Sequence, residues 1–169
     1  MEFSDELRQT EFVRGIPSSL LPSLCRLAQP RAFPAGAALF AEGQANLDFH
    51  LVLDGHVRLD MNVPQRGRIP LLSVGPGDVL AWSALLSGGK MTTSAKAMEP
   101  VRTAAFEGTQ LQQLCEREPE IGYHVMKQLA GALSRRLLAT RLQLLDLFAD
   151  HEPIGLTKAA VSSANSPKS

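Results

Sequence analysis

The four histidines are the side chains of this sequence best suited to hold a catalytic metal ion. They are His50, His56, His124 and His151. A catalytic metal needs three or four ligands brought together in one place. No two of these histidines are separated by a single residue, and none follows shortly after the Gly-Pro-Gly-Asp turn at residues 75–78. The pattern predicts no metal centre, and we expect His50 and His56 to be surface or hairpin residues.

Nucleophilic catalysis is the second chemistry to consider, and its candidates are Ser83, Cys25 and Cys115. Ser83 follows Trp82 at a tight turn, but no Gly-x-Ser-x-Gly sequence surrounds it and no histidine or aspartate partner is evident. The two cysteines lie far apart and match no metal-ligand spacing. We expect both to be small core residues on helices. The sequence therefore predicts no catalytic residue and a protein that is not an enzyme.

The overall composition predicts one soluble domain that does not bind nucleic acid or an anionic membrane. The chain has 169 residues, with 17 Lys and Arg against 17 Asp and Glu, so the formal net charge is zero. A nucleic-acid or anionic-membrane binder normally carries a basic surplus. The first residues contain no apolar segment like that of a signal peptide, and no apolar run is long enough to span a membrane. These features predict a cytoplasmic protein.

The elements that must position any site fall into three zones, followed by a tail. Residues 1–30 are predicted to be helical, with one amphipathic helix of about three turns over residues 16–28. Residues 31–106 are interrupted by Gly or Pro every eight to twelve residues, which predicts about eight short antiparallel strands. Residues 107–150 are again helical, and residues 151–169 are polar, Ser/Ala-rich and predicted to be disordered.

Two local signals stand out within this organisation. Asp54-Gly55 lies between two apolar runs and predicts a two-residue hairpin. Pro119, with Glu118 and Glu120 beside it, begins a helix whose apolar positions continue for roughly 30 residues. Such a helix is longer than the domain needs, so we expect it to pack against a second copy of the chain. The residues predicted to form this dimer interface are Ile121, Val125, Leu129, Leu133, Leu137 and Leu144.

Two segments carry a resemblance to a known family. They are FAEGQANLDFHLVLDGHVRL at residues 40–59 and LLSVGPGDVLAWSALL at residues 71–86, and the long helix from Pro119 follows them. Together they resemble the cyclic-nucleotide-binding domain, the effector domain of catabolite-activator-type (Crp/Fnr) regulators. The resemblance implies a mainly β fold with flanking helices, a double-stranded β-helix or jelly-roll-like barrel. It also implies a dimerising C-terminal helix.

The resemblance further places a ligand site at the phosphate-binding cassette of that family, where a short helix presents its first amides to a cyclic phosphate. Aligned without gaps, the family's glycine falls on Ala81, its ribose-binding Glu on Trp82 and its phosphate-binding Arg on Met91, followed by a hydroxyl at Thr92. Both charged ligand-binding residues are therefore replaced. The implied ligand-binding residues are Gly77, Val79, Leu80, Ala81, Trp82, Ser83, Lys90, Met91 and Thr92.

Two of these positions have alternative interpretations. Lys90 lies beside the vacant arginine position and either replaces it as a point charge or is a solvated loop lysine. Trp82 either fills the pocket, forms a stacking wall for a different planar ligand, or anchors the core. A small, non-standard nucleotide-like ligand thus remains open, and no cofactor beyond a cyclic nucleotide or related small ligand is predicted.

Three functional hypotheses follow from the resemblance. The first is a stand-alone regulatory module that binds such a ligand and acts through homodimerisation and contact with an unidentified protein partner. The second is a ligand-free interaction or assembly module whose pocket is plugged by Trp82. The third is the sensor part of a Crp/Fnr-type regulator, lacking its DNA-binding module. Because that module is larger than the 19 residues that follow Asp150, we do not expect this chain to bind DNA directly.

Overall fold

The computed structural model describes residues 2–149, so the predicted disordered tail at 151–169 lies outside the described residues. Within residues 2–149 the chain forms five helices and eight strands. The helices are α1 (Phe3–Gln9), α2 (Leu21–Leu27), α3 (Ser83–Leu86), α4 (Gly108–Arg117) and α5 (Pro119–Ala149). The strands are β1 (Gln29–Phe33), β2 (Ala38–Phe40), β3 (Asp48–Asp54), β4 (Val57–Val63), β5 (Gly67–Val74), β6 (Val79–Leu80), β7 (Ser94–Ala97) and β8 (Val101–Glu107).

The strands form two four-stranded antiparallel sheets, which confirms the mainly β fold with flanking helices. One sheet has the order β1-β8-β3-β6 and the other the order β2-β7-β4-β5. Most strands that pair within a sheet are distant from each other in the sequence, as in a jelly roll. The chain therefore passes repeatedly from one sheet to the other, in most cases at a glycine-containing turn.

Asp54-Gly55 is one of these crossing points, so the predicted hairpin is wrong. β3 pairs with β8 and β6, whereas β4 pairs with β5 and β7. Gly55 has a φ of 80°, and a Cβ atom built on it would lie 2.3 Å from the carbonyl oxygen of Pro100. The Asp-Gly signal thus marks a left-handed turn correctly. The turn packs against the loop before β8, which directs the two strands into different sheets.

The helix predicted over residues 16–28 is shorter in the structure, where it corresponds to α2. α2 begins at Leu21 rather than near residue 16, and Pro22 lies in its first turn. A proline ring collides with the carbonyl group four residues before it, so a helix that contained Pro22 in its interior would be broken. Residues before Leu21 instead form a turn in which the amide of Leu20 donates to the carbonyl of Pro17 over 2.9 Å.

The sheet β1-β8-β3-β6 divides the core into two parts, because alternate residues of a strand point to opposite faces. Phe49 and Phe106 face the helices, where their rings pack against Phe12 with centroids 5.8 and 6.4 Å away. Val52 points the other way, into the core between the sheets. The helices α1, α2, α4 and α5 thus cover one face of a barrel whose interior is filled by a separate apolar cluster.

α5 begins at Pro119, as predicted, but its apolar stripe combines two different faces. Ile121, Val125 and Leu129 are at most 2% exposed and belong to the core that the helices form with the sheet. They are therefore not available to a second chain, which corrects this part of the predicted interface. Leu133 is half-buried, whereas Leu137 and Leu144 are 54% and 50% exposed.

Candidate functional site

The predicted cassette lies where β6 leaves the sheet and α3 begins. The turn before it is closed by Asp78, whose Oδ2 accepts a hydrogen bond from the amide of Gly75 over 3.1 Å. β6 then pairs with β3 for two residues, and the chain turns at Ala81 into α3. A pocket forms between this segment and the barrel. It is lined by Phe40, Leu59, Leu80, Ala81, Trp82, Ser83, Met91, Thr92, Thr93 and Arg136.

Six of the nine predicted ligand-binding residues line this pocket, and three do not. Gly77 is exposed in the turn and Val79 points into the core beside the helices. Lys90 is exposed and outside the lining, which favours its interpretation as a solvated loop lysine. Lys90 thus does not supply the charge that the family places at Met91.

Ala81, at the position where the resemblance places a glycine, has a glycine-like conformation. Its φ is 56°, in the left-handed region that an L-residue adopts at some cost in energy. The carbonyl of Ala81 accepts the amide of Ala84 over 2.9 Å, so this strained residue begins the first turn of the short helix α3. Ala81 thus has a backbone conformation that glycine adopts more readily, at the position where the resemblance places a glycine.

Trp82 and Met91, at the positions where the resemblance places the family's charged residues, offer apolar surface. Trp82 is half-buried, packs against the helix-side core and also lines the pocket, so it serves as both wall and core anchor. Met91 is 3% exposed and belongs to the core between the sheets. The pocket wall contributed by residues 81–93 consequently contains no charged side chain.

The sequence prediction missed Arg136, which reaches this pocket from α5. Its Nη2 donates a hydrogen bond to the carbonyl of Val79. Burial lowers the pKa of Arg136, an effect that the nearby carboxylate of Asp78 opposes. A signal for this placement was present in the sequence, since Arg136 follows Val125, Leu129 and Ala132 at spacings of three and four residues. That spacing continues the buried face of the helix.

The pocket is small in this conformation. Its volume of about 10 Å³ is roughly the room that a single water molecule needs. A nucleotide can therefore enter only if lining side chains move.

His50 is a second residue whose placement corrects the sequence prediction. It is 3% exposed, not a surface or hairpin residue, and its Nδ1 lies 3.0 Å from Oγ1 of Thr103. The ring of Phe33 packs edge-on against it at 6.0 Å. Burial lowers the pKa of His50 to about 4, so the imidazole is neutral at neutral pH. His56, by contrast, is exposed, as predicted.

Groups suited to catalysis do not gather in the part of the chain that the structure describes. No cluster of three or more His, Cys, Asp or Glu side chains suited to a metal ion occurs among those residues. Burial raises the pKa of the Cys115 thiol, which disfavours the reactive thiolate. Ser83 is 2% exposed.

The fold and the cassette define a small-molecule-binding barrel of the regulatory type. The chain belongs to the cyclic nucleotide-binding domain family, whose sequence model matches residues 30–118. A CRP-like cAMP-activated global transcriptional regulator of Mycobacterium tuberculosis is 29% identical over 159 residues, which is 94% of this chain and 69% of that protein.

Solved structures share this fold. A cyclic nucleotide-binding domain from Methylobacillus flagellatus superposes with a TM-score of 0.76 at 24% identity, covering 86% of this chain and 84% of that one. The catabolite activator protein of Thermus thermophilus superposes with a TM-score of 0.65 at 28% identity, covering 82% and 62%. Among the described residues, no helix is both long and apolar enough to cross a membrane.

Proposed function

We propose that this chain is a non-enzymatic, cytoplasmic sensor module that binds a cyclic nucleotide or a related nucleotide-like ligand at the cassette and passes the signal to a protein partner as a homodimer. The observation that carries the proposal is the position of the pocket. Six residues that the family resemblance assigns to the ligand line one cavity beside α3, and Ala81 has a positive φ at the position where the resemblance places a glycine. DNA binding is not part of the proposal.

Cyclic AMP and cyclic GMP should bind the 169-residue chain weakly, with a Kd below about 1 mM and one site per chain. Affinity is reduced because Trp82 and Met91 offer no charge-assisted hydrogen bonds, each worth a factor of roughly ten. Isothermal titration calorimetry measures this directly. In Thr92→Glu a carboxylate at the pocket wall should repel the phosphate and abolish the binding heat, whereas Thr109→Glu, on the exposed start of α4, should bind as the wild type does.

The small size of the pocket favours one alternative, a ligand-free assembly module. A volume of about 10 Å³ and the apolar side chains of Trp82 and Met91 are what we expect of a plugged pocket. The same titration separates the two functions. Absence of heat and of any thermal shift with either nucleotide at millimolar concentration would reject the ligand-binding function and leave the assembly module.

The dimer interface of the proposal lies on the exposed face of α5. Tyr123, Met126, Ala130, Leu133, Leu137, Thr140 and Leu144 recur at alternating spacings of three and four residues, the spacing of a coiled-coil seam. Three of these side chains, Tyr123, Leu137 and Leu144, are at least half exposed. An apolar row of this length on a soluble chain is best covered by the same row of a second copy.

Leu137→Asp should convert the dimer to a monomer, because it places a carboxylate in the middle of this seam. Ala139→Asp, which adds the same charge at an exposed position on the other side of α5, should remain dimeric. Sedimentation velocity at matched concentrations gives the masses. A Leu137→Asp dimer as stable as that of Ala139→Asp would show that α5 is not the interface.

A further inference from the structure

Within the described residues, the pocket contains one charged side chain, and this residue lies outside the positions at which the family places its charged ligand-binding residues. Among the residues lining it, the structure places a single charged side chain, Arg136, and this residue comes from α5 and not from the cassette. The family positions for charge carry Trp82 and Met91, and the neighbouring Lys90 is exposed outside the pocket. An anion entering here would have only Arg136 to neutralise it within the described lining.

The guanidinium of Arg136 has donors to spare. Nη2 donates to the carbonyl of Val79, but Nε is buried and finds no acceptor within the residues that the structure describes. A guanidinium carries five N–H donors in a planar fork that matches the oxygens of a phosphate. A buried cationic donor without an acceptor costs free energy. A phosphate oxygen bound to Arg136 would remove this cost, so the phosphate gains more here than it would from an arginine that water already hydrates.

Arg136 is also the lining side chain whose movement would open the pocket. It has the longest flexible stem among the ten lining residues, and the pocket around it retains only about 10 Å³. The carbonyl of Val79 holds it through one neutral acceptor, which is a weaker partner than a charged phosphate. If Arg136 released the Val79 carbonyl and bound an anion instead, the pocket would gain space and Nε of Arg136, unpaired within the described residues, would gain an acceptor.

We propose that Arg136 is the anion-binding residue of this pocket, replacing the cassette arginine of the family, and that a ligand phosphate displaces it from the Val79 carbonyl. The class of ligand rests on the proposed function, whereas the anion site rests on Arg136 alone. The charge of the ligand is then sensed by α5 itself. Since the same helix exposes Leu137 and Leu144, binding would act on the proposed dimer seam without passing through the barrel.

The test compares a charged ligand with its neutral counterpart in three variants of the full-length chain. Cyclic AMP and adenosine are titrated into the wild type, Arg136→Met, Arg136→Lys and the control Arg135→Met, which removes the same charge from the adjacent exposed position. The wild type and Arg135→Met should prefer cyclic AMP by about tenfold or more. Arg136→Met should lose that preference, and Arg136→Lys should retain part of it because a point charge remains.

A second measurement keeps the anion site testable if neither nucleotide nor nucleoside binds. Inorganic pyrophosphate should raise the thermal midpoint of the wild type and Arg135→Met more than that of Arg136→Met. That result with no nucleotide binding would reject the proposed function but support the anion site. An unchanged cyclic AMP preference in Arg136→Met, or equal pyrophosphate shifts in all proteins, would overturn the role of Arg136, while wild-type cyclic AMP binding would leave the proposed function intact.

Discussion

Replacing Gly108 by alanine is expected to lower the free energy of unfolding by about 3 kcal/mol, at the upper end of what overpacking costs. Gly108 is the first residue of α4 and is buried against α3. A Cβ atom at this position would lie 2.1 Å from the carbonyl oxygen of Ala84 and 2.7 Å from its carbon. Both atoms are backbone, so no side-chain rotation relieves the contact. The two helices must separate.

The consequence reaches the pocket, because α3 carries Ser83 and begins at the strained turn of Ala81. The amide of Gly108 also donates to the carbonyl of Leu47 over 2.8 Å, which fixes the start of α4 from the other side. α4 cannot move away without breaking that bond, so α3 would take up much of the displacement. Gly108→Ala should therefore weaken nucleotide binding as well as stability.

Gly131→Ala is the matched control for this substitution. Gly131 lies inside α5, and the nearest atom to its added Cβ would be the flexible Nη1 of Arg135 at 3.5 Å. Alanine is favoured over glycine within a helix by about 1 kcal/mol, so this variant should be slightly more stable than the wild type. Urea denaturation or the thermal midpoint, expected to fall by roughly 10 °C in Gly108→Ala alone, compares the two. A Gly108→Ala chain of wild-type stability would contradict the close approach of α3 and α4.

The strands and the long helix could be predicted because their signals are local. Glycine-containing turns at regular spacing predicted the eight strands, and Pro119 predicted the first residue of α5. Which strands pair could not be predicted in the same way. Asp54-Gly55 specifies a left-handed turn, but whether the next strand stays in the sheet depends on Pro100, 45 residues away, against which Gly55 packs.

The site was half predictable for a related reason. The cassette residues all lie between Gly77 and Thr92, so family resemblance could locate them. Arg136 lies 57 residues after Val79, and its approach depends on the path of α5 over the barrel. The helical spacing from Val125 and Leu129 indicates that Arg136 lies on the buried face. The sequence prediction assigned all apolar positions of α5 to one surface, so it did not distinguish this face from the exposed one. Separating the two faces would have moved Ile121, Val125 and Leu129 from the dimer interface to the core.

Acidification should destabilise this protein through His50, by about 2 kcal/mol between pH 7.5 and pH 5. An unfolded histidine binds a proton below about pH 6.5, whereas burial holds the pKa of the folded His50 near 4. Asp48 raises this pKa and Arg31 lowers it, but burial has the larger effect. Over this interval the unfolded chain binds the extra proton, so the free energy of unfolding falls as the pH falls. The loss is roughly 3 kcal/mol at pH 4, where the folded His50 begins to bind the proton too, and it levels off below that pH.

His50→Gln should remove most of that slope while keeping a hydrogen-bonding side chain beside Thr103. His56→Gln, which removes an exposed imidazole, should retain it. The pKa of Glu107 is lowered by hydrogen bonds from the amides of Gln110 and Thr109, but its contribution to stability is lost only below about pH 4.5, outside this interval. The difference between the urea midpoints at pH 7.5 and pH 5, compared between the wild type and His50→Gln, therefore reports the contribution of His50. If His50→Gln lost as much stability on acidification as the wild type, His50 would not be the neutral, buried group that the barrel interior requires.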